Sequence, residues 1–209
     1  MNIEYFETPV PYIIVRNWFN EQELEQVWEE LQFLTYGNKL RGPILTNSAK
    51  TVDGQTKKHN HGLFLDEAYT DRNLSNILTV TRKLWNPEFL ETIEKHHFVF
   101  KYLKKSNQDS TLMSYYDDGD YYLPHNDTAI LTVLINLYKE PKQFSGGDLQ
   151  LENSEHIVPL ENNRLVMFPS VSMHAVTPIT FAEPNEKFSG YGRYTITQFI
   201  TTAIGRIQY

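Results

Sequence analysis

The sequence predicts a mainly β chain with helices (α+β), built as a β-sandwich or jelly roll with the helices packed on one sheet. Three observations carry this reading. Apolar residues recur at helical spacing in the first third, and from residue 97 onward the pattern changes to short alternating runs. Clusters such as Asp117-Asp118-Gly119-Asp120, Ser145-Gly146-Gly147 and Glu161-Asn162-Asn163 punctuate those runs as turns.

Asn20 followed by Glu23 makes a capping-box start, after which Leu24, Val27, Trp28, Leu31 and Leu34 fall on one helical face. Residues 37–62 are polar and aperiodic, with Lys39, Arg41, Lys50, Lys57, Lys58, His59 and His61, and read as a mobile loop or a loosely held hairpin. Loops of that length inside a compact domain are often functional. A second helix is predicted over 66–85, with Leu74, Ile77, Leu78, Thr81 and Leu84 on one side. Asn86-Pro87 ends it and starts a short third helix. Strands are predicted over 97–103, 111–116, 121–126, 129–138, 148–151, 156–160, 164–168, 174–179 and 193–201. Runs at this spacing argue for a jelly roll rather than a parallel α/β sheet. No repeat or linker divides the chain, so a single domain over 1–209 is expected, helical over 1–95 and β over 97–201.

With 40% hydrophobic residues among 209, the chain can bury a sizeable core without disulfides or structural zinc. It has no Cys, which removes thiolate-bound zinc, iron–sulfur clusters, thiol catalysis and disulfides. Nineteen Lys plus Arg against 26 Asp plus Glu leave a net charge of −7 with no basic block, which argues against nucleic acid and anionic membranes as partners. Glu4 and Glu7 stand where a secretory signal would carry basic residues, so a cytoplasmic location is expected. The longest apolar stretch, 129–138, contains Thr132 and Asn136 and is about half of what a membrane helix needs.

In Pro124-His125-Asn126-Asp127 two ligand-capable side chains stand two apart at a strand end, so both leave the same face of the pleat and can grip one metal ion. His174 follows 47 residues after Asp127, at the start of another strand, where a jelly roll brings the chain back over the same mouth. Two imidazoles and a carboxylate that leave coordination positions open are the arrangement of non-haem Fe(II) oxygenases. Arg193, Thr195, Thr197 and Phe199 alternate on one face of the last strand. An inward Arg needs an anionic partner, which a dicarboxylate would supply, assisted by a Thr hydroxyl. Tyr116 and Tyr122 are candidate phenolic donors to the same pocket, and Asn136 is a lesser one. His59, His61, His96, His97 and His156 read as surface or strand residues, with His59-Asn60-His61 as an adventitious metal pair at most.

Taken in order, Tyr116-Asp117-Asp118-Gly119, Pro124-His125-Asn126-Asp127, Ser145-Gly146-Gly147-Asp148-Leu149, Arg164-Leu165-Val166-Met167-Phe168, His174-Ala175-Val176 and Gly192-Arg193-Tyr194 resemble the Fe(II)- and 2-oxoglutarate-dependent dioxygenases of the prolyl 4-hydroxylase type. The resemblance covers about residues 97–201. It implies a double-stranded β-helix with His125, Asp127 and His174 as iron ligands and Arg193 on the distal carboxylate of 2-oxoglutarate. Tyr116 and Thr197 match cosubstrate contacts of the oxygen-sensing branch. The implied activity is hydroxylation of a C–H bond by O2 with release of succinate and CO2, with ascorbate as a further cofactor. A peptide or protein prolyl group is the leading substrate. A free amino acid or other small molecule is the alternative, as is a cupin-like metalloprotein that does not use 2-oxoglutarate.

Two departures stand out. Collagen-modifying relatives carry Lys where Arg193 stands, and residues 180–191 form a longer connection than usual. Nucleic-acid demethylation is disfavoured by the acidic balance, and the next arginine, Arg206, lies beyond the Arg193 strand. The sequence leaves the oligomeric state open.

Overall fold

The computed structural model describes residues 2–203; Arg206 lies outside them. Thirteen strands are described: β1 Ile3–Phe6, β2 Tyr12–Arg16, β3 His61–Phe64, β4 Gln108–Tyr116, β5 Tyr122–His125, β6 Leu131–Leu137, β7 Phe144–Gly146, β8 Leu149–Leu151, β9 Ile157–Val158, β10 Arg164–Pro169, β11 His174–Val176, β12 Ile179–Phe181 and β13 Arg193–Thr201. The major sheet has the order β1-β2-β10-β6-β13-β4-β3, and a smaller one the order β5-β11-β8-β9, with β12-β7 as a separate pair. All pairings are antiparallel. This is the predicted jelly-roll class, with helices over one sheet. Among the described residues, no helix is long and apolar enough to cross a membrane.

Alternation across the major sheet creates two unequal interiors. Ile13, Val15, Val133, Ile135, Leu165, Met167, Tyr194 and Ile196 point to one side, where they pack with Val27, Leu31, Leu34, Ile77, Leu78 and Phe89 of the helical layer. Ile14, Leu134, Val166 and Phe168 point to the other, against Leu149, Leu151 and Val158 of the smaller sheet. β6 is buried along its whole length because it is covered on both faces.

Helix α1, Glu21–Tyr36, starts as predicted. The Asn20 side chain accepts from the Glu23 N–H at 2.9 Å, and the Glu23 carboxylate accepts from the Asn20 N–H at 2.9 Å. The predicted helix over 66–85 is instead four short pieces: α2 Leu65–Ala68, 3-10 turns at Arg72–Leu74 and Thr81–Trp85, and α3 Asn76–Val80 between them. Asp71 and Ser75 adopt extended backbone and cap the next turn with their side chains, so each restarts the helix. Helix α4, Pro87–Ile93, is the predicted third one, capped by Asn86.

The predicted strand over 97–103 is a 3-10 turn, Phe98–Phe100, followed by helix α5, Lys101–Lys105. The buried residues there are Phe100 and Leu103, three apart, while Phe98 faces solvent, which is helical spacing. In the N-terminal part, expected to be helical, β1, β2 and β3 are strands of the major sheet. The single predicted strand over 174–179 is split into β11 and the start of β12.

Leu31 is fully buried between α1 and the major sheet. Leu31→Ala should lower unfolding stability by about 2 to 5 kcal/mol in urea denaturation, whereas Ala at the exposed Glu25 should change it little.

Candidate metal centre

β5 and β11 are adjacent strands, and the register sets His125 opposite His174. Each imidazole is oriented by a local bond: His125 Nδ1 lies 2.9 Å from the Leu123 carbonyl oxygen, and His174 Nδ1 3.0 Å from that of Ser172. A carbonyl only accepts, so Nδ1 carries the proton in both rings and Nε2 keeps its lone pair for a ligand. Asp127 sits just past β5 and closes the group, with carboxylate oxygens 3.8 Å from His125 Nε2 and 3.5 Å from His174 Nε2. Thr132 Oγ1 donates to Asp127 Oδ2 at 2.6 Å and fixes the carboxylate. Among the described residues this is the one cluster of three His, Asp or Glu side chains with ligand atoms close enough, within 4.8 Å, to share an ion. Burial, followed by the neighbouring His174, pushes the His125 pKa down to about 3. Its ring is therefore neutral near pH 7, the form a metal requires. A donor set of two imidazoles and one carboxylate, all converging from one side, suits a non-haem iron(II) ion with open positions.

Arg193 begins β13 and is only 1% exposed. Its Nη2 donates to Asn136 Oδ1 at 2.8 Å, and its guanidinium carbon lies 4.6 Å from the centre of the Tyr116 ring. Thr195 Oγ1 donates to the same Asn136 oxygen at 3.3 Å. Arg193 Nε and Nη1 are buried without a protein partner. Burial lowers the Arg193 pKa, opposed by Tyr116 and Asp148, but an arginine stays charged over any physiological range. A buried cation with two idle donors is a receptor for a carboxylate.

Glycines at two positions make room for it. At Gly147, φ is +77°, and a Cβ would come within 2.9 Å of Arg193 Cδ; at Gly192 one would meet the Tyr116 carbonyl oxygen at 2.0 Å. Of the two glycines singled out in the sequence as motif, Gly147 thus leaves space for the Arg193 side chain, and Gly192 allows the close approach of β13 to the Tyr116 backbone on β4.

The triad, Arg193, Tyr116 and Thr197 all line one cavity of about 480 Å³. These six residues are therefore in one place, as is Tyr122, while Asn136 stands behind Arg193 outside the cavity lining. Thr197 faces the cavity, but the nearest polar anchor of Arg193 is Asn136, not Thr197. Tyr122 stacks on His125, with ring centres 3.5 Å apart, and its hydroxyl accepts from the Ala49 N–H at 3.2 Å. The other histidines serve locally: His59 pairs with Asp120 at 2.8 Å, His97 caps Val99 and His156 lies 3.2 Å from the Tyr12 hydroxyl.

Sequence reasoning underrated Asn136 and missed the support from Thr132. Both are polar interruptions, four apart, in an apolar strand, which was the available signal. It also missed how firmly the 37–62 segment is held. Lys50 and Thr56 bridge to form a hairpin, and Leu123 N–H donates to Lys57 O while His59 N–H donates to Tyr121 O. Lys57 Nζ donates to Pro124 O at 2.7 Å. The hairpin is thus pinned along β5, the strand that carries His125.

Comparison with known proteins agrees with this geometry. A family model described as the 2OG-Fe(II) oxygenase superfamily matches residues 111–201. A PKHD-type hydroxylase of Shewanella sp. (strain MR-7) is 26% identical over 188 residues, spanning 84% of this chain and 75% of that protein. Among solved structures, a prolyl-4-hydroxylase of Pseudomonas putida superposes with a TM-score of 0.60 at 13% identity, over 92% of this chain and 93% of that one. A prolyl hydroxylase of Trichoplax adhaerens, in complex with a hypoxia inducible factor peptide fragment, gives 0.62 at 15% identity, over 91% and 83%.

Asn136→Ala removes the one polar anchor of a buried charge. It should destabilise the fold by roughly 1.5 to 3 kcal/mol in chemical denaturation.

Proposed function

We propose that this chain, a 2-oxoglutarate- and Fe(II)-dependent dioxygenase of the prolyl 4-hydroxylase type, hydroxylates a residue of a peptide or protein, with proline as the target. The observation that carries the reading is Arg193: a buried guanidinium with Nε and Nη1 unpartnered, in the same cavity as the His125, Asp127 and His174 group. A cupin-like metalloprotein that dispenses with 2-oxoglutarate has no use for that charge, and its burial would only cost stability.

Iron(II), 2-oxoglutarate and O2 together supply the oxidising chemistry, in which decarboxylation of the cosubstrate to succinate is coupled to hydroxylation of a C–H bond. His125, Asp127 and His174 would hold the metal, with Leu123, Ser172 and Thr132 fixing their orientation. Arg193 would hold the distal carboxylate of 2-oxoglutarate through its two idle donors, stacked on Tyr116 and set by Asn136. Thr197, on the same face of β13, is a further hydroxyl toward the cosubstrate.

Exposed apolar side chains close in the chain to the site residues favour a peptide over a small molecule. Ile44 and Leu45 are 82% and 66% exposed on the segment that leads into the hairpin, and Leu123, Val171 and Met173, each within three residues of a histidine in the chain, are also exposed. If these side chains form one patch, it would suit a macromolecular contact. The Trichoplax relative in complex with a peptide is consistent with that use of the fold.

Two measurements test the reading. Anaerobic titration of the Fe(II)-loaded protein with 2-oxoglutarate should produce a visible charge-transfer band. Asp127→Ala should lose it, and Arg193→Ala should weaken cosubstrate binding by about 2 to 5 kcal/mol, roughly thirtyfold to several thousandfold. No band with metal bound would refute the cosubstrate assignment. Mass spectrometry of a proline-containing peptide panel, in an ascorbate-supplied assay, should find the gain of one oxygen atom. Oxidation of free amino acids alone would move the substrate to the small-molecule class.

A further inference from the structure

Lys58 belongs to the hairpin, yet it is buried, at 3% exposure, in the wall of the metal cavity. Its Nζ donates to the Thr46 carbonyl at 2.7 Å. It stands 6.0 Å from the centre of the Tyr122 ring, the ring that stacks on His125. Among the described residues no carboxylate lies within ion-pair distance of it. An ammonium has three donors, and the carbonyl occupies one. Two residues on, Asn60 is 1% exposed, lines the same cavity, and has a buried Oδ1 without a partner. A cation with spare donors and an orphaned acceptor therefore share one wall.

Charge balance gives these two residues a direction. The charged residues lining the cavity are Lys58, Asp109, Asp127 and Arg193. Asp109 is already paired with Arg72 at 2.8 Å and Arg82 at 3.1 Å. On the cosubstrate reading proposed above, on which this step rests, the metal dication, the cosubstrate dianion, Asp127 and Arg193 cancel. Lys58 is then the single positive charge without a counter-charge, buried in the cavity wall. Burial already pulls its pKa down to about 8, with only Asp127 pulling it back up.

We propose that the substrate carries a carboxylate, held by Lys58, with an adjacent N–H of the same molecule donated to Asn60 Oδ1. That chemistry has two sources, an acidic side chain beside the target residue in a peptide, or the α-carboxylate of a free amino acid. A neutral internal peptide segment would leave Lys58 buried and unpaired.

The test is calorimetric binding to the protein loaded with Zn(II) and 2-oxoglutarate, which does not turn over. The peptide arm compares acetyl-Pro-Glu-amide with acetyl-Pro-Gln-amide, and the amino-acid arm compares L-proline with L-prolinamide, all at millimolar concentration. In the native protein the anionic member of one pair should bind at least about tenfold more tightly, and the pair in which it does so identifies the source. Lys58→Met should abolish that preference and Lys58→Arg keep it, with 2-oxoglutarate binding unchanged in both. Asn60→Ala should weaken both members of the productive pair alike, since both carry the N–H. A lysine that merely braced Thr46 would affect anionic and neutral probes equally. Equal binding within both pairs, no binding by any probe, or a preference that survives Lys58→Met would overturn the proposal while leaving the cosubstrate reading intact. Failure of the native protein to bind 2-oxoglutarate would overturn both.

Discussion

A guanidinium sealed from water at the start of the last strand constrains the rest of the structure. Arg193 must be held where its charge is tolerable, and three adjacent strands combine to hold it there. β13 carries it, β4 places the Tyr116 ring beneath it, and β6 places Asn136 beside it. Gly147 keeps the nearby backbone free of a side chain that would displace it. Such an arrangement costs stability, because a buried charge gives up its hydration. The opposite face of the same three strands offsets that cost. Val133, Ile135, Met113, Tyr194 and Ile196 all pack into the helical layer. One face of the sheet supplies stability and the other supplies chemistry, and the helices exist chiefly to serve the first.

What could be read from the residues follows from this division. β13 was legible because polar and apolar residues alternate through its first five positions, Arg193, Thr195 and Thr197 against Tyr194 and Ile196. The triad was legible because its spacing and its strand ends are local features. β2 was not, since Tyr12 to Val15 are buried on both faces and show no alternation. The 97–103 segment deceived through its aromatic and β-branched residues, when the decisive detail was that Phe100 and Leu103 are three apart. The hairpin looked loose because its attachment to β5 runs largely through backbone groups, which leave no trace in composition. For the same reason the burial of Lys58 and Asn60 was invisible: both look like ordinary loop residues until the hairpin folds over the cavity.

The proposed metal end and cosubstrate end are organised differently. Each histidine is oriented by a carbonyl only two residues earlier in the chain, so ring orientation is set within a few bonds of the backbone. Arg193 depends on residues 57 and 77 positions away in the sequence, Asn136 and Tyr116. The first arrangement forms with its own strand; the second forms only when the central sheet is complete.

β6 joins the two ends. Thr132 steadies the metal-side carboxylate and Asn136 anchors the guanidinium, and both lie on the inner face of one strand. Four residues of extended chain span about 13 Å, so this strand acts as a gauge between the two ends. The gauge also has a parity. A single inserted or deleted residue between positions 132 and 136 would turn one anchor toward the helical layer and drive an apolar side chain into the cavity in its place. Lineages descended from this chain would accordingly keep the residue count of β6.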